Sequence, residues 1–155
     1  MTITPADMWM VPSHLTLVKS PDPILRQVSK VVGEDEFGPE LQKFADQLST
    51  TMFTEEGVGL AAVQVGVLQR VLVLIANGTV LQMVNPTIKS ASRLRIEHTE
   101  KCLSYPGIRK KTNRSRQVVV TYRTPLGQTC THTFLGFDAI VVQHEMDHLD
   151  GKTIG

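Results

Sequence analysis

Residues 137–151 read Phe-Asp-Ala-Ile-Val-Val-Gln-His-Glu-Met-Asp-His-Leu-Asp-Gly. Phe137, Val141, His144 and His148 recur at i, i+4, i+7 and i+11, the spacing of one helix face. Gly151 stands where a helix C-terminus is commonly capped. The stretch predicts a helix from about Phe137 to Asp150 whose inward face carries two imidazoles. Two imidazoles facing a core need partners, and a metal ion supplies them. With His144 and His148 gripping one ion, Glu145 leans towards the vacant side of its coordination sphere. There the ion acidifies a water and the carboxylate takes the proton. The plainer alternative is a pair of satisfied structural histidines.

A catalytic site of this kind needs a third protein ligand. Seven residues follow His148 in the sequence, which leaves no room for a downstream glutamate, and the histidine of the longer metallopeptidase motif would fall on Ile154. The third ligand is therefore expected upstream, among Cys102, Cys130, His98, His132 and several carboxylates. Cys130 and His132 alternate on one face of a predicted strand. Cys102 precedes a turn signal, Tyr105-Pro106-Gly107, and could equally be a small buried hydrophobe.

Before the predicted helix the chain reads mostly as strands. Val71–Ala76 and Thr79–Val84 flank Asn77-Gly78, which fits a tight hairpin turn. Asn85-Pro86 is expected to stop the second of these. Gln117–Arg123 and Gln128–Leu135 flank Thr124-Pro125-Leu126-Gly127, a second hairpin. The charge-rich stretch 86–116 shows no clear period. Further upstream, Leu41, Phe44, Ala45, Leu48 and Met52 form one apolar stripe after Pro39, so a helix is predicted near residues 39–56, ended by Gly57. One helix, many strands and a last helix make an α+β fold: antiparallel strands around a C-terminal metal-binding helix.

The 155 residues suit a single domain, 1–155. Hydrophobic residues at 41% exclude a disordered chain, and a net charge of +1 gives no overall basic excess to suggest nucleic acid. Two cysteines are no disulfide framework. Residues 1–20 show no basic stretch followed by an apolar run, and the longest apolar run is far short of the roughly 18–20 residues that span a bilayer. The expectation is a cytoplasmic protein with no membrane and no nucleic-acid partner.

A second segment of interest is Gly57-Val58-Gly59-Leu60-Ala61-Ala62-Val63-Gln64-Val65-Gly66. Its glycines allow close backbone approach, and no lysine follows them as in a phosphate loop. Gln64 is either hydrogen-bonded structure or an oxyanion donor.

Together, three stretches resemble the peptide deformylase family. Gly57–Gly66 resembles its Gly-x-Gly-Leu-Ala-Ala-x-Gln motif, Glu100-Lys101-Cys102-Leu103-Ser104 its Glu-Gly-Cys-Leu-Ser motif, and Gln143–Gly151 its Gln-His-Glu-x-Asp-His-Leu-x-Gly motif. Pro21-Asp22-Pro23-Ile24-Leu25-Arg26 resembles the family's usual start. The resemblance implies that Cys102, His144 and His148 bind one divalent metal, natively Fe(II), with zinc, nickel or cobalt also accepted. It implies Glu145 as general base and then acid, with Gln64 and the Leu103 N–H stabilising the oxyanion. The substrate it implies is the N-formyl group of nascent peptides beginning with formylmethionine. Gly59 would allow the peptide close, and Val58, Leu103, Ile140, Val141 and His144 would line the methionine pocket.

Two departures stand out. Lys101 replaces the family's glycine. Typical bacterial members also continue into a C-terminal helix that in some aids ribosome docking, whereas this sequence stops at Gly155. The expectation is a short, monomeric form without that docking helix. Two other readings share the metal motif. One is a small metallopeptidase or other amidase. The other is a non-catalytic metal-bound module with Cys130 or His132 as a fourth ligand.

Overall fold

The run Val71–Ala76 is apolar at every position because both of its faces are covered. The computed structural model describes residues 14–155, so most of the N-terminal stretch read for a leader lies outside it. In chain order the elements are α1 (Pro39–Thr54), β1 (Gly59–Ala61), β2 (Val71–Ala76), β3 (Thr79–Ala91), β4 (Arg95–Cys102), β5 (Tyr105–Ser115), β6 (Gln117–Arg123), β7 (Thr129–Leu135) and α2 (Phe137–Leu149). An antiparallel five-stranded sheet has the order β1-β2-β3-β6-β7, and β4 and β5 form a separate pair. In β2, Val71 and Val73 pack with Leu41, Leu48 and Met52 of α1. Leu72, Leu74 and Ala76 pack with Ala139, Val142, Met146 and Leu149 of α2. Successive strand residues point to opposite faces, so β2 is held between the two helices. Each fully buried Leu or Met in these layers stabilises the fold by about 1.5–3 kcal/mol.

The expected hairpins form. Ala76 pairs with Thr79, and Asn77 and Gly78 both take positive φ, 49° and 73°, as the tight turn requires. Two expectations need correction. The first helix ends at Thr54, and the left-handed residue after it is Glu56 (φ 60°), not Gly57. Gly57 is small for another reason: a Cβ there would sit 2.8 Å from Leu103 Cδ1. Asn85-Pro86 does not stop its strand. Asn85 takes φ 51° at a register shift, its side chain pairs with the backbone of Val32 in both directions, and β3 runs on to Ala91. The stretch 86–116, which shows no period, holds the end of β3 and the whole β4–β5 hairpin.

That hairpin is locked to α2 from two sides. The Gln143 amide donates to the Ser115 carbonyl (2.9 Å) and accepts from its N–H (3.3 Å). Arg114 of β5 donates to Asp147 of α2 (2.8 Å). The C-terminus of α2 is fixed by Arg70, whose guanidinium donates to the Leu149 carbonyl (3.0 Å) and to Asp150 (2.8 Å), a cation at the negative helix end. Gly151 then turns with φ 72°, and a Cβ there would meet the Arg26 carbonyl at 2.5 Å. Among the described residues no helix is long and apolar enough to cross a membrane.

Candidate active site

Between α2, β4 and the Gly57–Gly59 segment lies a cleft of about 690 Å³. A slightly larger groove of about 750 Å³ lies between α1 and the β6–β7 turn. It holds no cysteine or histidine, so the chemistry belongs to the first. All the residues expected to shape the substrate site line this cleft: Val58, Gly59, Gln64, Leu103, Ile140, Val141, His144 and Glu145.

Cys102, His144 and His148 each offer one ligand atom, and these atoms lie within 4.8 Å of one another. Cys102 Sγ is 3.3 Å from His148 Nε2. Among the described residues neither Cys130 nor His132 joins the group. Cys130 faces Tyr122 across β6–β7, packs against the core, and His132 lies against the Phe134 ring. His98 also lines the cleft, with its ring against the edge of Phe137 and its Nδ1 buried without a partner.

The two histidines are held differently. His144 Nδ1 donates to Glu100 Oε1 at 2.8 Å, which leaves Nε2 for a ligand. Glu100 in turn accepts from Thr112 and from Arg114 Nε and Nη2, the last at 2.9 Å. Burial opposes ionisation of Glu100, but these hydrogen bonds from His144, Arg114 and Thr112 hold its carboxyl down at about 2. Burial and the neighbouring charges of His144 and Arg114 push His148 down to about 3, so its ring is neutral with a lone pair free to bind. His144 is also opposed by burial, yet hydrogen bonds to Cys102 and Glu100 and the charge of Glu145 push it up to about 10. The donor set, one soft thiol and two imidazoles, suits iron, zinc, nickel or cobalt.

Glu145 is 4% exposed and its Oε1 has no hydrogen-bond partner. Burial pushes its carboxyl up to about 7. A carboxyl poised there can take a proton and return it near neutral pH. Gln64 is fixed by accepting from the Ala61 N–H (3.0 Å), so its NH₂ points into the site, 3.1 Å from Ser104 Oγ and 3.5 Å from Cys102 Sγ. Gly59 is small because Glu145 leans on it: a Cβ would lie 2.7 Å from Glu145 Oε2 and 3.0 Å from Val141 Cγ1. Gly59→Ala should therefore displace Glu145. Expected are a fall in kcat/KM of more than about tenfold and an overpacking cost of about 1–3 kcal/mol in a thermal melt. Wild-type values in both would refute this reading of Gly59.

Lys101 is exposed at the cleft rim and is not among the residues with positive φ, so lysine adopts this backbone without strain. Lys101→Gly should leave kcat within about twofold. It should raise KM slightly for acidic peptides at low salt, the effect of an exposed charge worth about 0–1 kcal/mol. A large fall in kcat would show that the lysine shapes the site. The sequence reading overlooked Arg114 and Thr112, which clamp Glu100. Both lie in the stretch without apolar period, and the one available signal was Asp147, an acidic residue inside the helix motif in need of a partner.

Fold and site together set a helix-borne His-Glu-x-x-His motif beside a cleft, the arrangement of a metal-dependent hydrolase. A family model described as polypeptide deformylase matches residues 14–155. A peptide deformylase of Fusobacterium nucleatum is 40% identical over 129 residues, covering 83% of this chain and 74% of that protein. The class I type b peptide deformylase of Acinetobacter baumannii, solved with Met-Ala-Ser bound, superposes with a TM-score of 0.87 at 33% identity, covering 91% of this chain and 96% of that one. The enzyme of Thermotoga maritima superposes with a TM-score of 0.87 at 34% identity, covering 91% and 95%. The chain belongs to the polypeptide deformylase family. It is a metal-dependent enzyme that removes the N-formyl group from the amino terminus of new polypeptides, releasing formate.

Proposed function

We propose that Cys102, His144 and His148 hold the catalytic metal, and that Glu145 moves the protons of formyl-group hydrolysis. The observation that carries this is the convergence of three ligand atoms within 4.8 Å beside a buried carboxylate oxygen with no partner. A divalent metal bound there supplies Lewis acidity, which makes water nucleophilic and polarises the formyl carbonyl. Fe(II) is the proposed native ion, with zinc, nickel and cobalt as working substitutes.

The rest is done by side chains. Glu145 accepts the proton of the attacking water and then delivers it to the departing amine nitrogen, so that formate and a free amino terminus leave. Gln64 Nε2 and the Leu103 N–H donate to the oxygen on which negative charge develops. The Glu100–Arg114 pair orients His144. Val58, Ile140 and Val141, with the ring of His144, receive the first side chain, formylmethionine in nascent peptides. Residues 1–155 act as one catalytic domain. In this reading the protein is a monomer of the cytoplasm, and its three metal ligands need no second chain.

The test is metal analysis of the anaerobically purified protein together with formate release from formyl-Met-Ala-Ser and, as control, from its acetylated counterpart. About one metal per chain with cleavage of the formyl peptide alone is expected. Cleavage of the acetyl peptide at a similar rate would turn the reading into a general amidase. Bound metal without hydrolysis would favour a non-catalytic module.

A further inference from the structure

The balance of charge over the whole chain conceals a strong local asymmetry. Nine of the sixteen Lys and Arg residues fall in residues 89–116, with only two of the fifteen Asp and Glu. The rest of the chain carries seven cations against thirteen anions. The stretch is the β4–β5 hairpin with the strand ends that join it to the sheet. Arg114 alone of its cations is taken up inside, by Glu100 and Asp147. The other eight are exposed. Among the described residues only one of these eight meets a carboxylate: Lys111, 3.7 Å from Glu97 in a solvated pair.

The strand pattern sets how this charge is presented. In β4, His98 and Glu100 turn towards α2, while Arg95, Glu97, Thr99 and Lys101 are exposed. Lys111, paired with Thr99, shares that exposed face. Arg109, Lys110 and Lys111 are consecutive in β5, so they put positive charge on both faces of the strand. The same hairpin carries Cys102, Tyr105, Pro106 and Gly107, which line the cleft.

We propose that this hairpin docks on the phosphate backbone of RNA, beside the mouth of the active site. Eight exposed cations, seven of them meeting no carboxylate among the described residues, match an extended polyanion, whose binding comes from neutralised phosphates and released counterions. Leu94 and Ile108 are the large apolar side chains exposed among them. A lipid surface takes an apolar face in addition to charge, and the exposed side of β4 offers Arg95, Glu97, Thr99 and Lys101 there instead. The acidic remainder of the molecule repels a polyanion, so only the hairpin side can approach one. The choice of RNA rests on the reading of the cleft as a deformylase site, since nascent chains emerge from an RNA-rich particle. Contact through the hairpin would set the cleft beside them.

The test is fluorescence anisotropy with a labelled 20-base-pair RNA duplex between 50 and 200 mM KCl. The wild type should bind at micromolar strength and weaken steeply with salt, by roughly 0.9 log units per log unit of salt for each phosphate neutralised. Arg109→Gln/Lys110→Gln/Lys111→Gln should bind at least tenfold more weakly at 50 mM KCl with a salt slope smaller by about 2–3. Its melting temperature and formyl-Met-Ala-Ser hydrolysis should be unchanged. If that variant melts early, Lys110→Gln alone should lower the slope by about one. No wild-type binding at 50 mM KCl, or equal binding by the variants, would overturn the proposal. So would tighter binding to vesicles containing 20% phosphatidylserine than to RNA. A protein that binds RNA but spares the formyl peptide defeats the deformylase reading only. One that cleaves the peptide and ignores RNA defeats the hairpin proposal only.

Discussion

Glu145→Gln should keep its metal and lose at least 10²-fold in kcat, the low end of what a positioned general base contributes, with up to 10⁴-fold in range. At 1.36 kcal/mol per factor of ten, that is about 3–5 kcal/mol of barrier. The substitution changes almost nothing else, because the amide has the shape of the carboxylate and Gly59 leaves room for it. It removes only the ability to take and return a proton. A second signature separates this from damage to the fold. Burial raises the Glu145 pKa from 4.5 to about 7 in the folded chain. A carboxyl with a raised folded pKa costs nothing below pH 4.5, where both states are protonated. The cost grows between pH 4.5 and 7, and is complete above pH 7. The metal-stripped wild type should therefore lose stability from this group as pH rises through that window, and metal-stripped Glu145→Gln should lack that loss. Denaturant melts of the two proteins at pH 5 and pH 8 check it. A Glu145→Gln protein that cannot hold metal would recast the residue as a ligand.

The features that sequence made legible are those with a period or a fixed spacing. The stripe on α1 and the β2–β3 hairpin follow from apolar positions that pack and from the Asn77-Gly78 turn. The His144–Glu145–His148 group follows from the helical repeat. The β4–β5 hairpin was illegible because after Ile96 the inward residues of β4 are His98, Glu100 and Cys102, so a strand that packs on a polar site leaves only a trace of apolar alternation. The same inversion hid Arg114, a cation turned inward among cations turned outward. The end of α1 was misplaced because Gly57 is the expected left-handed residue, whereas Glu56 takes that conformation and Gly57 makes space for Leu103. The third ligand was open on spacing alone. The fold separates the two cysteines: Cys102 Sγ lies within 4.8 Å of the ligand atoms of His144 and His148, whereas Cys130 stands opposite Tyr122 in the β6–β7 ladder.

Cys102→Ala should abolish stable metal binding, whereas Cys130→Ala should leave it intact. Loss of a residue that only hydrogen-bonds a metal ligand costs about 10–100-fold in affinity. Loss of one of three protein ligands should exceed that, so Cys102→Ala purified and dialysed anaerobically is expected to retain less than about a tenth of a metal per chain. Hydrolysis of the formyl peptide should fall with the metal. The two cysteines are otherwise comparable, since both are free and partly buried, so a general sensitivity to thiol loss would affect both variants alike. Cys102 Sγ lies 3.3 Å from His148 Nε2 and within reach of the Gln64 amide at 3.5 Å. Removing it leaves two imidazoles and a vacant position. Cys130 instead lies opposite Tyr122 in a strand pair, where alanine keeps the backbone ladder. Because the thiolate would sit on a redox-active ion in the iron form, wild-type activity should also decay in air faster with iron than with nickel or zinc. Metal analysis by mass spectrometry on both variants, with circular dichroism to show that each is folded, decides the matter. A folded Cys102→Ala protein at full metal occupancy would remove the sulfur from the ligand set and leave the two histidines in need of another partner.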